Sequence, residues 1–232
     1  MQKTIACLAR PSHSEPRSWK SDIEQLLLSY ADQLTACGYA VDDKDVAPAH
    51  LLKMRFTEHP ADAVLSLWSD NPYQLQAILN AASELGDCQA YSVVEYTAIA
   101  CALNPGRIEG MCQMAFIRKP APQPRPEWLA AWLGDHTQIA IDTQANFGYR
   151  QNVVAVALPL KQSKQPPWPL MDAIVEENFP AIAMTSREAF FDAIDDPEKF
   201  EQHQQAMMQS CARFIDFEAF DCVPMSQYIV KG

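Results

Sequence analysis

The chain has 232 residues, 48% of them hydrophobic and 20% charged, and its 18 Lys and Arg against 29 Asp and Glu give a net charge of −11. That length accommodates one large domain or two small ones, and an acidic chain without a Lys/Arg run repels phosphate backbones, which excludes nucleic acid as the expected partner. Its seven glycines form no G-x-G-x-x-G, no G-x-x-x-x-G-K-[ST] and no G-x-S-x-G, so neither a nucleotide cradle nor the simplest hydrolase elbow is expected.

Taken from the N-terminus, residues 1–11 are interrupted by Arg10 and Pro11 too early to read as a signal peptide. With no apolar run long enough to span a membrane, a cytoplasmic protein is expected. Residues 4–10 are an apolar run that reads as a strand ending at Pro11. Residues 18–36 have helical spacing, with Gly38 as the stop signal. A mixed segment reaches Phe56, followed by a strand over 63–68, a helix over 72–85 and a strand over 91–96, an overall βαββαβ order. The seven cysteines form no C-x-x-C, and most lie in apolar runs, where a reduced thiol behaves as a small hydrophobe.

The second half repeats the order. A strand over 111–118 precedes a Pro- and Gln-rich link, and a helix starts at Pro126 and Glu127 and runs toward Phe147 and Gly148. Strands follow over 149–158 and 171–179, separated by a loop over 161–169 with three prolines. Residues 186–215 are helical with a break at Asp195-Asp196-Pro197, and residues 217–230 carry the last strand. Landmarks recur at an offset of roughly 110 residues: Arg10-Pro11 with Arg118-Lys119-Pro120, Trp19 with Trp128, and Asp62-Ala63-Val64 with Asp172-Ala173-Ile174. The fold expected is α+β, with two ferredoxin-like βαββαβ repeats, residues 1–104 and 105–232, divided near Asn104-Pro105-Gly106. Each repeat needs a partner for its bare sheet face, which the other supplies if the two antiparallel sheets pack face to face into a barrel.

Advancing about 100° per residue from Trp128 gathers Trp132, His136, Ile139, Thr143, Leu129 and Phe147 on one face of the second-half helix. A histidine in that setting is desolvated and neutral, fit to act as a general base or as an orienting donor. The bland alternative is a core histidine bonded to a backbone carbonyl. The first half places Leu27 at the matching position, so leucine can fill such a slot and a single competent site is expected.

The run Trp132-Leu133-Gly134-Asp135-His136 followed by Tyr149-Arg150-Gln151-Asn152-Val153 resembles the W-x-x-x-H and Y-x-Q-N-x-V motifs of the EthD family. Asp172-Ala173-Ile174-Val175-Glu176 is similar to its D-G-[VI]-x-E strand, with alanine for glycine, and Asp196-Pro197 and residues 212–216 resemble its second helix and the following turn. The likeness covers about residues 110–232, and the first half matches only in pattern. It implies a dimeric α+β barrel within one chain. Relatives of that superfamily include cofactor-free monooxygenases, polyketide cyclases and dehydratases, isomerases and haem enzymes, with ligands between the sheet and helices of a repeat. Fold does not select among those chemistries.

The expected activity is therefore a cofactor-independent lyase, cyclase, dehydratase or monooxygenase-like reaction on a small aromatic or polyketide-like carbonyl compound. His136 would be general base, with Glu176 or Asn152 orienting it and Trp128, Trp132, Tyr149 and Tyr228 as substrate-binding candidates. Each has a plainer reading: core for the tryptophans, solvated surface for Glu176 and Tyr228. Tyr149 and Asn152 have opposite strand parity and share a pocket only across a bulge. A non-catalytic ligand-binding or interaction module is the alternative function, and haem bound through His136 a weaker third. No metal site is expected from His13, His50, His59 or His203, which lack ligand spacing to Asp, Glu or Cys, and pairing of two such chains is left open.

Overall fold

The computed structural model describes residues 2–57, 61–161 and 170–232. The proline-rich stretch over 162–169 and His59 lie outside them. The elements in chain order are β1 (Gln2–Ala9), α1 (Pro16–Tyr30), β2 (Ala36–Val41), β3 (Ala63–Ser69), α2 (Pro72–Ala82), β4 (Asp87–Ile99), β5 (Gly106–Arg107), β6 (Met111–Ile117), α3 (Arg125–Leu129), α4 (Thr137–Thr143), β7 (Gly148–Leu158), β8 (Ala173–Phe179), α5 (Arg187–Phe190), α6 (Pro197–Cys211) and β9 (Asp221–Lys231). A π-helical segment, Ala130–His136, joins α3 to α4, and a 3₁₀ segment, Lys44–Leu52, follows β2. Among the described residues no helix is long and apolar enough to cross a membrane.

Side-chain caps set the starts of the long helices. Glu15 accepts from the Ser18 N–H at 3.0 Å ahead of α1, and Asp196 accepts from the Lys199 N–H at 3.0 Å ahead of α6. The break before α6 uses two non-glycine residues with left-handed backbone, Asp192 at φ 49° and Asp195 at φ 60°, a conformation in which Asp is among the least disfavoured residues. Gly38 does not stop a helix, as the sequence suggested. It sits inside β2, where a Cβ would lie 2.5 Å from the Tyr228 carbonyl oxygen of β9. Only a residue without a side chain permits that approach.

The strands form one antiparallel sheet in the order β2-β3-β1-β4-β7-β8-β6-β9, closed by pairing of β2 with β9, with the short β5 on the outer edge of β9. Eight strands thus make a barrel. The strands of residues 1–104 take the order second-third-first-fourth, and so do those of residues 105–232. The expectation of face-to-face sheets is corrected in one respect: the two sheets join edge to edge, at β4–β7 and β9–β2, and face each other only across the interior. Hydrogen bonding around the ring pairs each of its eight strands on both sides, leaving β5 as the edge among the described residues.

Closure creates three cores. Ile5, Val64, Tyr91, Met114, Phe116 and Met225 fill the barrel. Residues of the opposite strand parity face outward, against α1 and α2 on one side and against α3, α4 and α6 on the other. Strands buried on both faces read as continuous apolar runs, which is why β1, β3 and β6 are conspicuous in the sequence. In the first outer core Trp19, Ile23, Leu27, Leu65 and Leu79 are all at most 3% exposed. The second contains a cavity.

Candidate active site

Between the sheet of the second half and its helices lies a cavity of about 460 Å³. Its roof comes from the π-helical segment and α6, and its floor from β6, β7, β8 and β9. Leu51 and Leu52, from the 3₁₀ segment of the first half, close one side, so both halves wall the same space. The walls are mainly apolar and include Phe190, Phe191, Met207, Phe214 and Phe220.

His136 reaches this cavity because of the π turn. An α-helix places every fourth residue progressively further around its surface, whereas the wider π turn winds through less angle per residue. The turn over Ala130–His136 brings Trp128, Trp132 and His136 back under one another, all buried. A uniform helical rotation instead put Phe147 on that face. The helix ends at Thr143, and Phe147 is 38% exposed.

The His136 imidazole is 6% exposed and packs against the Phe214 ring at 4.5 Å between centroids. Its Nδ1 lies 2.9 Å from Ser210 Oγ on α6. Ser210 Oγ also accepts from Arg213 Nη2 at 3.4 Å and keeps a second lone pair, so the contact fits either tautomer of the ring. Nε2 has no hydrogen bond among the described residues. Burial, assisted by the positive charge of Arg213, lowers the His136 pKa to about 4.

The floor is a row of polar side chains in register. Tyr149 on β7 stands opposite Glu177 on β8, and Glu177 stands opposite Gln113 on β6. All three line the cavity. Burial raises the Glu177 pKa to about 7, with the Asn146 amide at 3.3 Å acting the other way. Burial and then the nearby Glu177 push the Tyr149 phenol well above its ordinary range. Gln113 Oε1 and Gln144 Oε1 are buried acceptors with no protein partner, and both residues line the cavity. Cys211 and Cys222 are raised by burial, Cys211 to about 12, and so serve as neutral wall atoms rather than nucleophiles. Arg187 at the mouth is the one Lys or Arg among the lining residues described.

The sequence candidates divide between four places. His136, Trp132 and Tyr149 line the cavity. Trp128 is core beside it, its indole donating to the Phe214 carbonyl at 2.8 Å. Glu176 and Asn152 are corrected: they lie on the other face of the sheet, inside the barrel, and do not share a pocket with His136. There Glu176 accepts from Lys3 at 2.5 Å, Asn152 at 3.0 Å and Gln227 at 3.2 Å, and Lys3 also pairs with Glu95. The Lys3 and Arg150 charges overcome burial and hold the Glu176 carboxyl below its ordinary range. Tyr228 is likewise displaced, across the β2–β9 seam on the first half's helix side, stacked on Tyr39 at 4.9 Å and bonded to Lys20 at 2.5 Å. For Glu176 and Asn152 the reason is strand alternation, since adjacent residues point to opposite faces, whereas Tyr228 shares the outward parity of Cys222 but lies further along β9, against the first half's core. Glu177 and Ser210 were missed. The available signal was that Glu177 shares parity with Val175 and Phe179, but a strand apolar on both faces does not say which faces the helices. Among the described residues no group of three His, Cys, Asp or Glu side chains converges as a metal site.

No family model matches the chain, and no curated protein matches it by sequence. The EthD likeness therefore rests on its motif residues alone. Solved structures do match. An anthrone oxidase-like protein aligns with a TM-score of 0.58 at 10% identity, covering 99% of this chain and 93% of that one. A mutant chlorite dismutase from Candidatus Nitrospira defluvii aligns with a TM-score of 0.50 at 13% identity, covering 97% and 91%. These likenesses establish the architecture: the chain has the dimeric α+β barrel fold.

Proposed function

We propose that this protein is an enzyme acting on a small aromatic or polyketide-like carbonyl compound held in the His136 cavity, and that the chemistry is proton transfer at or beside the carbonyl. The observation that carries this reading is the convergence of His136, Tyr149 and Glu177 on one largely apolar space of about 460 Å³. A core with only structural demands would fill that volume. The anthrone oxidase-like neighbour suggests the ligand class, because an anthrone is an aromatic ketone. Enolate formation is a step shared by cyclase, dehydratase and monooxygenase-like reactions on such compounds, so the same residues serve each outcome.

Trp132 and Phe214, stacked on each other at 6.3 Å, both line the space and give an aromatic ligand apolar ring contacts. His136 Nε2 supplies a polar contact for its oxygen. The test is a thermal-shift screen of small aromatic ketones on wild type and His136→Gln, followed by rate measurement on each hit. Hits that stabilise the wild type, bind His136→Gln more weakly and turn over at least about tenfold more slowly support the reading. Equal binding and equal rates in both proteins remove His136 from the site.

The two halves are also read as diverged copies, residues 1–104 and 105–232, of one ferredoxin-like unit with the EthD-like site kept in the second. Matching contacts support this. The Trp19 indole donates to Leu85 O at 2.7 Å and the Trp128 indole to Phe214 O at 2.8 Å, each at the end of its half's second long helix. The Arg10 N–H donates to Asp62 at 2.8 Å and the Lys119 N–H to Asp172 at 2.9 Å.

A further inference from the structure

We infer that Glu177, rather than His136, takes the substrate proton, while His136 stays neutral and donates through Nε2 to the carbonyl oxygen that gains charge. The inference rests on the proposed reading of this cavity and divides its chemistry between two walls. Glu177 is on the floor, Tyr149 and Gln113 flank it on the neighbouring strands, and His136 stands in the roof. A ligand lying between them presents one edge to a carboxylate and another to an imidazole N–H. The second half of the assignment takes the tautomer in which the Ser210 hydroxyl, next to the Arg213 cation, donates to Nδ1, so that Nε2 carries the ring hydrogen and has no lone pair for a base.

The step balances without a co-reactant. The C–H bond next to the carbonyl breaks and its proton moves to a Glu177 carboxylate oxygen. Its electron pair forms the enolate double bond, and the carbonyl π pair moves onto oxygen, where the Nε2–H of His136 meets it. Return of a proton from Glu177 to carbon reverses the step.

The environments are separated as the two roles require. The carboxyl is held near neutrality and the imidazole far below it, so around pH 7 one exchanges protons and the other only donates a hydrogen bond. The groups facing Glu177 are Tyr149 from β7, Cys222 from β9 and Cys211 from α6, all neutral at that pH, with Arg187 of α5 at the mouth. Nothing among them offers the buried ion pair that holds Glu176 ionised, one residue earlier and on the opposite face.

The test uses the full chain and β-tetralone, a compact enolisable aromatic ketone, following deuterium incorporation next to the carbonyl by proton NMR. Expected for the wild type is an exchange rate that rises with pH through a midpoint near 7. Glu177→Gln should lose about 10²- to 10⁴-fold and the pH rise with it, while binding β-tetralone within a few-fold. His136→Gln should slow exchange and keep the rise. Retention of the rise in Glu177→Gln, or its loss in His136→Gln, overturns the assignment while leaving the cavity as a site. Failure of the wild type to bind or exchange the ketone overturns both readings. A ligand-free measurement guards against a misfolded variant: in the wild type, carbon-13 NMR should find the Glu177 carboxyl titrating near 7 and nitrogen-15 NMR should find His136 protonated on Nε2. A carboxyl titrating near its ordinary 4.5, or a proton on Nδ1, contradicts the inference.

Discussion

His136 and Glu177 face one cavity with pKa values displaced in opposite directions, and stability records both. Glu177 is raised from 4.5 to about 7 on folding. The native state holds its proton longer than the unfolded chain, so this group's penalty grows as pH rises from about 4.5 to 7 and is full above that. His136 is lowered from 6.5 to about 4. Its penalty is absent above pH 6.5 and grows as pH falls toward 4. Glu177→Gln is therefore expected to be more stable than wild type at pH 8, by about 1–3 kcal/mol, and equal to it below pH 4.5. His136→Gln should gain only below pH 6.5. Urea unfolding of the three proteins at pH 4, 6 and 8 checks both signs, and a pH-independent difference for either variant contradicts the assignment. The histidine was legible in the sequence because the aromatic residues around it repeat at helical spacing and Leu27 stands in its place in the other half. The carboxylate was misplaced by one residue. β8 is buried on both faces, and which of Glu176 and Glu177 faces the helices depends on contacts with Lys3 and Asn146, far away in the chain.

At the level of elements, two departures from ideal secondary structure place the site. The π turn over Ala130–His136 directs the imidazole into the cavity, consistent with the frequent use of such turns at functional sites. The seam between β2 and β9 closes the barrel through Gly38, which the pairing accommodates with a register shift between Cys37 and Gly38. Gly38→Ala is expected to cost about 1–3 kcal/mol, seen as a lower urea midpoint, because the new methyl meets backbone rather than a movable side chain. An unchanged midpoint would show that the seam is looser than this contact implies. Neither departure was visible in sequence. A π turn has no residue signature of its own, and Gly38 next to a helical pattern reads as a stop until the distant β9 supplies the reason for it. Strands β1, β3 and β6 were legible, since burial on two faces writes itself as a largely apolar run.

Across the whole molecule, closure of one eight-stranded ring from two half-barrels gives the halves different tasks. The first packs its outer face around Leu27 and sends Lys44–Leu52 over the other half, where Val46 and Ala49 join the second core and Leu51 and Leu52 wall the cavity. The second leaves space beneath its helices. Inside the ring, Lys3 and Glu95 of the first half meet Glu176 of the second in a buried network that ties the two together. The measurement that bears most directly on this division is calorimetric titration of β-tetralone into the wild type and Ala115→Phe, whose ring would occupy the cavity floor from β6. One site per chain in the wild type, with affinity falling at least about tenfold in Ala115→Phe while the fold is retained, is the predicted result. Two sites per chain, or undiminished affinity in the filled variant, would contradict a single cavity in the second half.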